Sequence, residues 1–465
     1  MCVRVRERER ERDARQSFPN SSNHNETDGS ARRTMLLATT AIGSALCIAV
    51  LAFYESHQYW GNALLMIFSN LAFGSAVIFY NAYLPLLVAA SEDVVDLLED
   101  ESSTAEEISV KIDETTSQIS SYGPAFGYIG QGIMLMVNLV IFAMMSDATL
   151  ATQVCEERSD ASAIRLPGSE MLSCALFCPP LSGHSSNSGS LTLLSPTNPT
   201  PQINCAISGT WTLLFGVLSW SRLKDRPGPD LPDGEGYFSQ GVKDVSQTIM
   251  HLKADLPNLG KFLTAYFIYS DGTSTMTSAA SQFAGYELNM NMTQILLGLL
   301  EISFLAPLGC LFWLYVQNSC AIKPKTIINI LLVIFLGMTV YGYIALREQV
   351  EFYILCAVYA FVAGAEQAFT RGLYSEMIPK GHESEFFSFY EVTDKGTAWL
   401  GPLVVGIVND QTGSMRNAIM AIGAFFAIGL ILLQRVDVDA AIAEKHDFEE
   451  HHQVTAKERL SLAAR

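Results

Sequence analysis

Charged side chains are scarce in this chain. Asp, Glu, Lys and Arg make up only 16% of its 465 residues, where a soluble chain of this length carries about a quarter. The shortage is uneven: charges crowd into a few segments, and long uncharged runs lie between them. That distribution excludes an ordinary soluble domain and points to a lipid bilayer. Catalytic signatures are missing as well. There is no P-loop, no G-x-G-x-x-G after a strand, no H-E-x-x-H and no G-x-S-x-G, so neither ATP-driven transport nor membrane hydrolysis has sequence support. The nine cysteines include no paired C-x-x-C, the spacing a zinc site would show. Cys155, Cys174, Cys178 and Cys205 share one loop region in which a disulfide could form. No cofactor or metal is expected, and His446, His451 and His452 read as part of a solvated tail. The net charge of −18 is concentrated in loops and tails. It argues against a nucleic-acid partner.

What is present is a set of long apolar runs. About 20 mostly apolar residues cross a bilayer core, and in lipid such segments must be helical to satisfy their own backbone. Ten spans are predicted: 35–54, 61–87, 122–146, 205–221, 260–284, 293–316, 325–346, 350–371, 386–408 and 417–434. The fold class is therefore an all-α, polytopic membrane protein. With the N-terminus placed in the cytosol, 23 of the 29 Lys and Arg fall on that side, as the positive-inside rule requires. Ten spans then put both termini in the cytosol.

The remaining segments divide the chain. Residues 1–34 are a disordered tail that begins with alternating Arg and Glu. Residues 35–221 hold four spans, interrupted by an acidic loop at 88–121 and a Ser/Pro/Asn/Thr-rich insert at 155–204. The insert cannot bury a core. It is long enough for a structureless loop to suggest translated non-coding sequence. Residues 222–256 form a central cytosolic loop, 257–434 a six-helix bundle and 435–465 a cytosolic tail. Six spans after a central loop match half of a transporter built from two six-helix bundles. The first bundle is then two spans short.

Several stretches carry a resemblance: FSNLAFGSAVIFYNAYLPLL at 68–87, SSYGPAFGYIGQGIMLMVNL at 120–139, LPNLGKFLTAYFIYSDGTSTM at 256–276, AFTRGLYSEMIPKGHESEFFSFYEVTDKGTAWLGPLVVG at 368–406 and NDQTGSMRNAIMAI at 409–422. In these stretches the chain resembles the autophagy-related vacuolar effluxer family of the major facilitator superfamily. The resemblance implies two helical bundles around a central cavity. It also implies residence in the vacuolar membrane and export to the cytosol of neutral amino acids of the leucine and tyrosine type. The implied partners are the lipid bilayer, small amino acids and, as a candidate coupling ion, the proton. The oligomeric state is left open. In the family pattern 35–54 aligns with the third helix, so the chain resembles the family minus its first two helices, with the Arg/Glu tail in their place. That departure motivates two rival readings: a transport-inactive membrane interaction protein, and a truncated version of an intact transporter.

An ionisable residue within a membrane helix is costly and marks a pathway or a partner. Asp271, followed by Gly272, lies mid-span in the first helix of the second half, and reads as a proton-coupling group or a contact for a substrate amine. The bland alternative is a hydrogen bond to a neighbouring helix. Glu391, Asp394 and Lys395 cluster in the ninth span. Glu391 and Lys395 are four apart on one helix face, so an intrahelical ion pair competes with a charged lining that faces the pathway or the bundle interface. Glu366 is a further pathway candidate, whereas Arg371 reads as a boundary residue that snorkels to the surface. Asn81 and Pro85, with Gly123-Pro124, can loosen a helix and act as hinges. Gly413 supplies a turn between the last two spans. Asn291-Met292-Thr293 is a glycosylation sequon abutting a helix.

Overall fold

The computed structural model describes residues 31–53, 59–89, 91–99, 105–156, 200–220, 248–250, 252–379, 382–396 and 399–463. The tail 1–30, most of the insert and most of the central loop lie outside the described residues. Among the described residues there is no strand.

The first half contains α1 (Ala31–Ala49), α2 (Tyr59–Ala82), α3 (Leu84–Ala89), α4 (Glu92–Glu99), α5 (Ala105–Glu156) and α6 (Thr200–Trp220). The second half contains α7 (Pro257–Tyr286), α8 (Met292–Cys320), α9 (Pro324–Ile344), α10 (Gln349–Met377), α11 (Glu383–Gly396), α12 (Leu400–Thr412) and α13 (Met415–Gln434). It is followed by α14 (Val438–Ala463).

Among the described residues, seven helical stretches are long and apolar enough to cross a membrane by length and composition; they fall in α1, α2 with α3, α5, α8, α9, α10 and α13. The other three expected crossings correspond to α6, α7 and the α11–α12 pair. α7 carries the polar run Ser270, Asp271, Thr273, Ser274 and Thr275, four of which are buried against protein. Composition alone therefore understates it.

Three expected boundaries change. The ninth span, read as continuous over 386–408, is two helices. Gly396 favours an end, and Pro402, third residue of α12, cannot donate a backbone hydrogen bond to the preceding turn. The second span is likewise divided by a turn at Tyr83, with Pro85 the second residue of α3. The acidic loop 88–121 is largely helical: α4 covers part of it, and α5 begins at Ala105 and continues into the third span as one 52-residue helix carrying Pro124.

Local chemistry places the helix ends. Pro257 and Pro324 start α7 and α9 at positions where no backbone donor is needed. Asn291 caps α8 in a reciprocal box: Gln294 N donates to its Oδ1 at 3.0 Å and Asn291 N donates to Gln294 Oε1 at 2.9 Å. The asparagine of the sequon is thus already engaged by its own helix. α12 ends at Gly413, whose φ of 64° is the left-handed cap conformation.

The second half holds the main core. α7 packs on α13, α8 on α10, and α9 on both α10 and α13. Phe262, Tyr269, Phe283, Phe335, Phe369, Tyr374 and Phe426 are fully buried there. Phe335 and Phe426 stack with ring centroids 5.0 Å apart. In the first half α1 packs against α2 and α6, while α5 packs chiefly against α8 and α10 across the molecule. Large apolar side chains such as Leu64, Ile67, Phe68 and Leu71 of α2 face outward, as a surface in contact with lipid tails would.

Residues expected to be a solvated tail instead form α14, laid over the helix ends of the second half. Asn258 donates from its backbone N and from Nδ2 to the Glu444 carboxylate at 3.0 and 2.6 Å. Lys445 Nζ donates to Glu376 O at 2.9 Å. Phe448 is buried against His382.

Candidate functional site

At the α14 end of the molecule the two halves are joined by polar side chains. Asn81, at the carboxyl end of α2, donates from Nδ2 to Glu391 Oε1 of α11 at 3.0 Å. Arg371 of α10 donates from Nη1 to Asn81 Oδ1 at 3.3 Å and from Nη2 to Ser120 O of α5 at 2.7 Å. Its Nε reaches Ser120 Oγ at 3.3 Å, and Ser120 Oγ donates to Ala368 O at 2.5 Å. Its guanidinium also lies 5.6 Å from the centre of the Tyr80 ring. Gln317 Nε2 of α8 donates to Ser117 Oγ of α5 at 2.9 Å. One arginine thus ties α10 to both α2 and α5 with a planar fork that a lysine cannot reproduce.

A second network lies inside the second half. Tyr266 of α7 donates to Asp394 Oδ1 at 3.0 Å and stacks on Tyr390 with centroids 4.4 Å apart. Thr370 donates to Glu366 Oε1 at 2.9 Å. Its single proton is spent there, so the 3.0 Å contact with Tyr269 is donated by the tyrosine O–H. Glu366 and Asp394 are therefore both approached by tyrosines from α7.

Asp271 has no exposed surface, and neither of its carboxylate oxygens has a hydrogen-bond partner among the described residues. The backbone N–H of Gly401 in α12 acts on it electrostatically, as does Asp394. Gly272 permits close approach of α13: a Cβ there would lie 3.0 Å from Phe425 Cβ.

The structure therefore joins Asn81 to Glu391, and keeps Asp394 and Asp271 within electrostatic reach of each other. Glu366 is linked to α7 through Thr370 and Tyr269. Pro85 and Gly413 stand apart from these networks, at a helix start and a helix end. The ninth-span cluster had two alternatives, an intrahelical pair or a lining at the pathway or bundle interface. Lys395 Nζ bonds its neighbour Asp394 Oδ2, and Glu391 turns across the interface to Asn81. The i,i+4 spacing keeps Lys395 within electrostatic reach of Glu391, but the hydrogen bond to Glu391 comes from the other half. Arg371 differs from the expectation. Rather than snorkelling outward it is half-buried between the halves. Sequence gave no signal for this, because its partners are about 250 and 290 positions away. Tyr266 and Tyr269 were missed for the same reason, their partners lying 128 and 101 positions away, whereas Thr370 was legible beside Glu366 as part of one polar helix face.

The family described as "Vacuole effluxer Atg22 like" matches residues 28–156 and 188–446, leaving unmatched only residues 157–187 of the low-complexity insert and the two ends. The chain is 27% identical over 459 residues to autophagy-related protein 22 of Neurospora crassa, covering 90% of this chain. It spans 58% of that relative's length. It is 29% identical over 443 residues to autophagy-related protein 22 of Yarrowia lipolytica, covering 86% of this chain and 70% of the relative. Among solved structures it superposes on the major facilitator superfamily transporter FucP with a TM-score of 0.51 at 13% identity, covering 88% of this chain and 83% of that one. At that identity the likeness shows the fold, a two-bundle helical membrane architecture. With the family matched over most of its length, the chain belongs to the Atg22-like vacuole effluxer family.

Proposed function

We propose that this chain is a secondary transporter, not an enzyme, that exports neutral amino acids of the leucine and tyrosine type from the vacuole to the cytosol after autophagic degradation. The proton is the coupling ion, and the protein resides in the vacuolar membrane with both termini cytosolic. Family membership and fold support the class. The observation that carries the mechanism is the polar junction between the halves, in which Arg371 bonds Asn81 and Ser120 and Asn81 bonds Glu391. Hydrogen bonds of this kind exchange readily for bonds to water, so the junction can close and open at small net cost. The carboxylates Glu366 and Asp394, on two of the helices that meet at it, and Asp271 on α7 are the candidate proton and substrate-amine contacts.

The test is efflux from sealed vesicles. Proteoliposomes loaded with labelled leucine or tyrosine, held at acidic lumenal pH, are expected to release label faster than empty-liposome controls. Release at the control rate for both amino acids, with correctly inserted protein, would reject the reading and favour a membrane interaction protein.

A further inference from the structure

Asp271 and Thr275 are one helical turn apart on α7, hence on one face. Thr275 is 2% exposed, and its Oγ1, like both Asp271 carboxylate oxygens, has no hydrogen-bond partner among the described residues. This face meets the first turn of α12. The Gly401 N–H acts on Asp271, and Thr275 sits so close to Gly401 that a Cβ there would overlap Thr275 Oγ1. α12 starts without a cap of its own: Trp399 has helical angles (φ −88°, ψ −23°) and no side-chain cap bond. The first amides of a helix have no intrahelical acceptor and carry a partial positive charge. A buried carboxylate without donors is equally incomplete. Each side has what the other lacks, yet no hydrogen bond of normal geometry closes between them.

We infer that Asp271 is a detachable cap for the amino end of α12, with Thr275 and Gly401 setting how closely the two approach. When ionised, the carboxylate draws the α12 end onto α7. When a proton from water adds to a carboxylate oxygen, the charge is lost and the α12 end is released; no other bond is made or broken. α11 and α12 together make one expected crossing, and α11 carries Glu391, which bonds Asn81 of the first half. Proton binding at Asp271 therefore reaches the junction between the halves through this divided helix. Asp394 on α11 is the other ionisable group acting on Asp271. Glu366 on α10 is engaged by Thr370. On α12 and α13, Asp410 and Arg416 stand at the far ends from Gly401 and from Phe425, and on α7 Lys261 lies nearly three turns away. The physiological role of this element rests on the transport reading; the element itself is tested without substrate.

Trp399 adjoins the moving end and is exposed, so its emission reports it. The full chain is purified in detergent, and the spectrum of Trp399→Phe is subtracted from that of the parent across about pH 4.5 to 8, where partly desolvated carboxyls titrate. A one-proton transition in the Trp399 component is expected, absent in Asp271→Asn and displaced in Gly401→Ala. A Trp399 component that does not titrate, or that titrates identically in Asp271→Asn, overturns the proposal. If Asp271→Asn fails to fold, Thr275→Val takes its place: a displaced midpoint supports the proposal and an unchanged one overturns it. Loss of leucine efflux with this titration intact would sink the transport reading and leave the cap standing.

Discussion

Asn81 Nδ2 and Glu391 Oε1 meet at 3.0 Å across the two halves of the molecule, 310 positions apart in the chain. Glu391 Oε2 has no hydrogen-bond partner among the described residues, so Asn81 supplies the hydrogen bond to this buried carboxyl. Asn81→Ala is expected to cost about 1–3 kcal/mol, the penalty of orphaning a buried acceptor. Asn81→Asp, which sets two carboxyls against each other, should cost more at neutral pH. Denaturant unfolding of the detergent-solubilised protein reads both; an unchanged Asn81→Ala variant would show that the contact carries no weight.

Arg371 distinguishes a structural bridge from a boundary anchor. A snorkelling anchor needs only a positive charge, and Arg371→Lys would leave it intact. The observed fork contacts Asn81, Ser120 Oγ and Ser120 O through three different nitrogens. Arg371→Lys is therefore expected to lose about 1.5–3 kcal/mol, the worth of a hydrogen bond to a charged group, and Arg371→Ala more. The melting temperatures of the two variants against the parent settle the matter.

α14 offers a pH-dependent test. Burial pushes the Lys445 ammonium below its ordinary value of 10.5, against the opposing pull of Glu449, Glu376 and Glu383. A lowered folded value means that the folded state holds its proton less tightly than the unfolded chain. The contribution of Lys445 is then fully favourable above 10.5 and is lost as pH falls through the lowered folded value. The melting-temperature difference between the parent and Lys445→Met should therefore move in favour of the parent as pH is raised toward that limit. A difference that is flat with pH contradicts the half-buried placement of Lys445.

Two glycines predict opposite outcomes. A Cβ on Gly309 of α8 would lie 2.5 Å from Phe361 Cα and 2.6 Å from Phe361 O of α10, which is backbone and cannot swing aside. Gly309→Ala is expected to cost about 1–3 kcal/mol through overpacking. A Cβ on Gly127 of α5 meets nothing within 4 Å. Gly127→Ala should be neutral or stabilising by up to about 1 kcal/mol, from helix propensity. Parallel thermal scans compare them, and equal effects would contradict the packing of α8 on α10.

The apolar runs by themselves determined that this is an α-helical membrane protein, and seven of the ten expected crossings fall on helical stretches long and apolar enough to span a membrane. That inference is local: a backbone in lipid has only its own segment to bond with, so about 20 apolar residues suffice to specify a helix. The quoted family stretches and the buried candidate Asp271 were also legible, because composition and ionisable outliers can be read one residue at a time. Partnership was decided only by the tertiary structure. Glu391 turns from Lys395 to Asn81, Arg371 points inward, the ninth crossing divides between Gly396 and Leu400, and the expected tail becomes a helix capping α7 through Glu444. Each depends on which helices lie side by side and at what angle, and no short-range pattern in a chain encodes the neighbour of a residue 250 positions away.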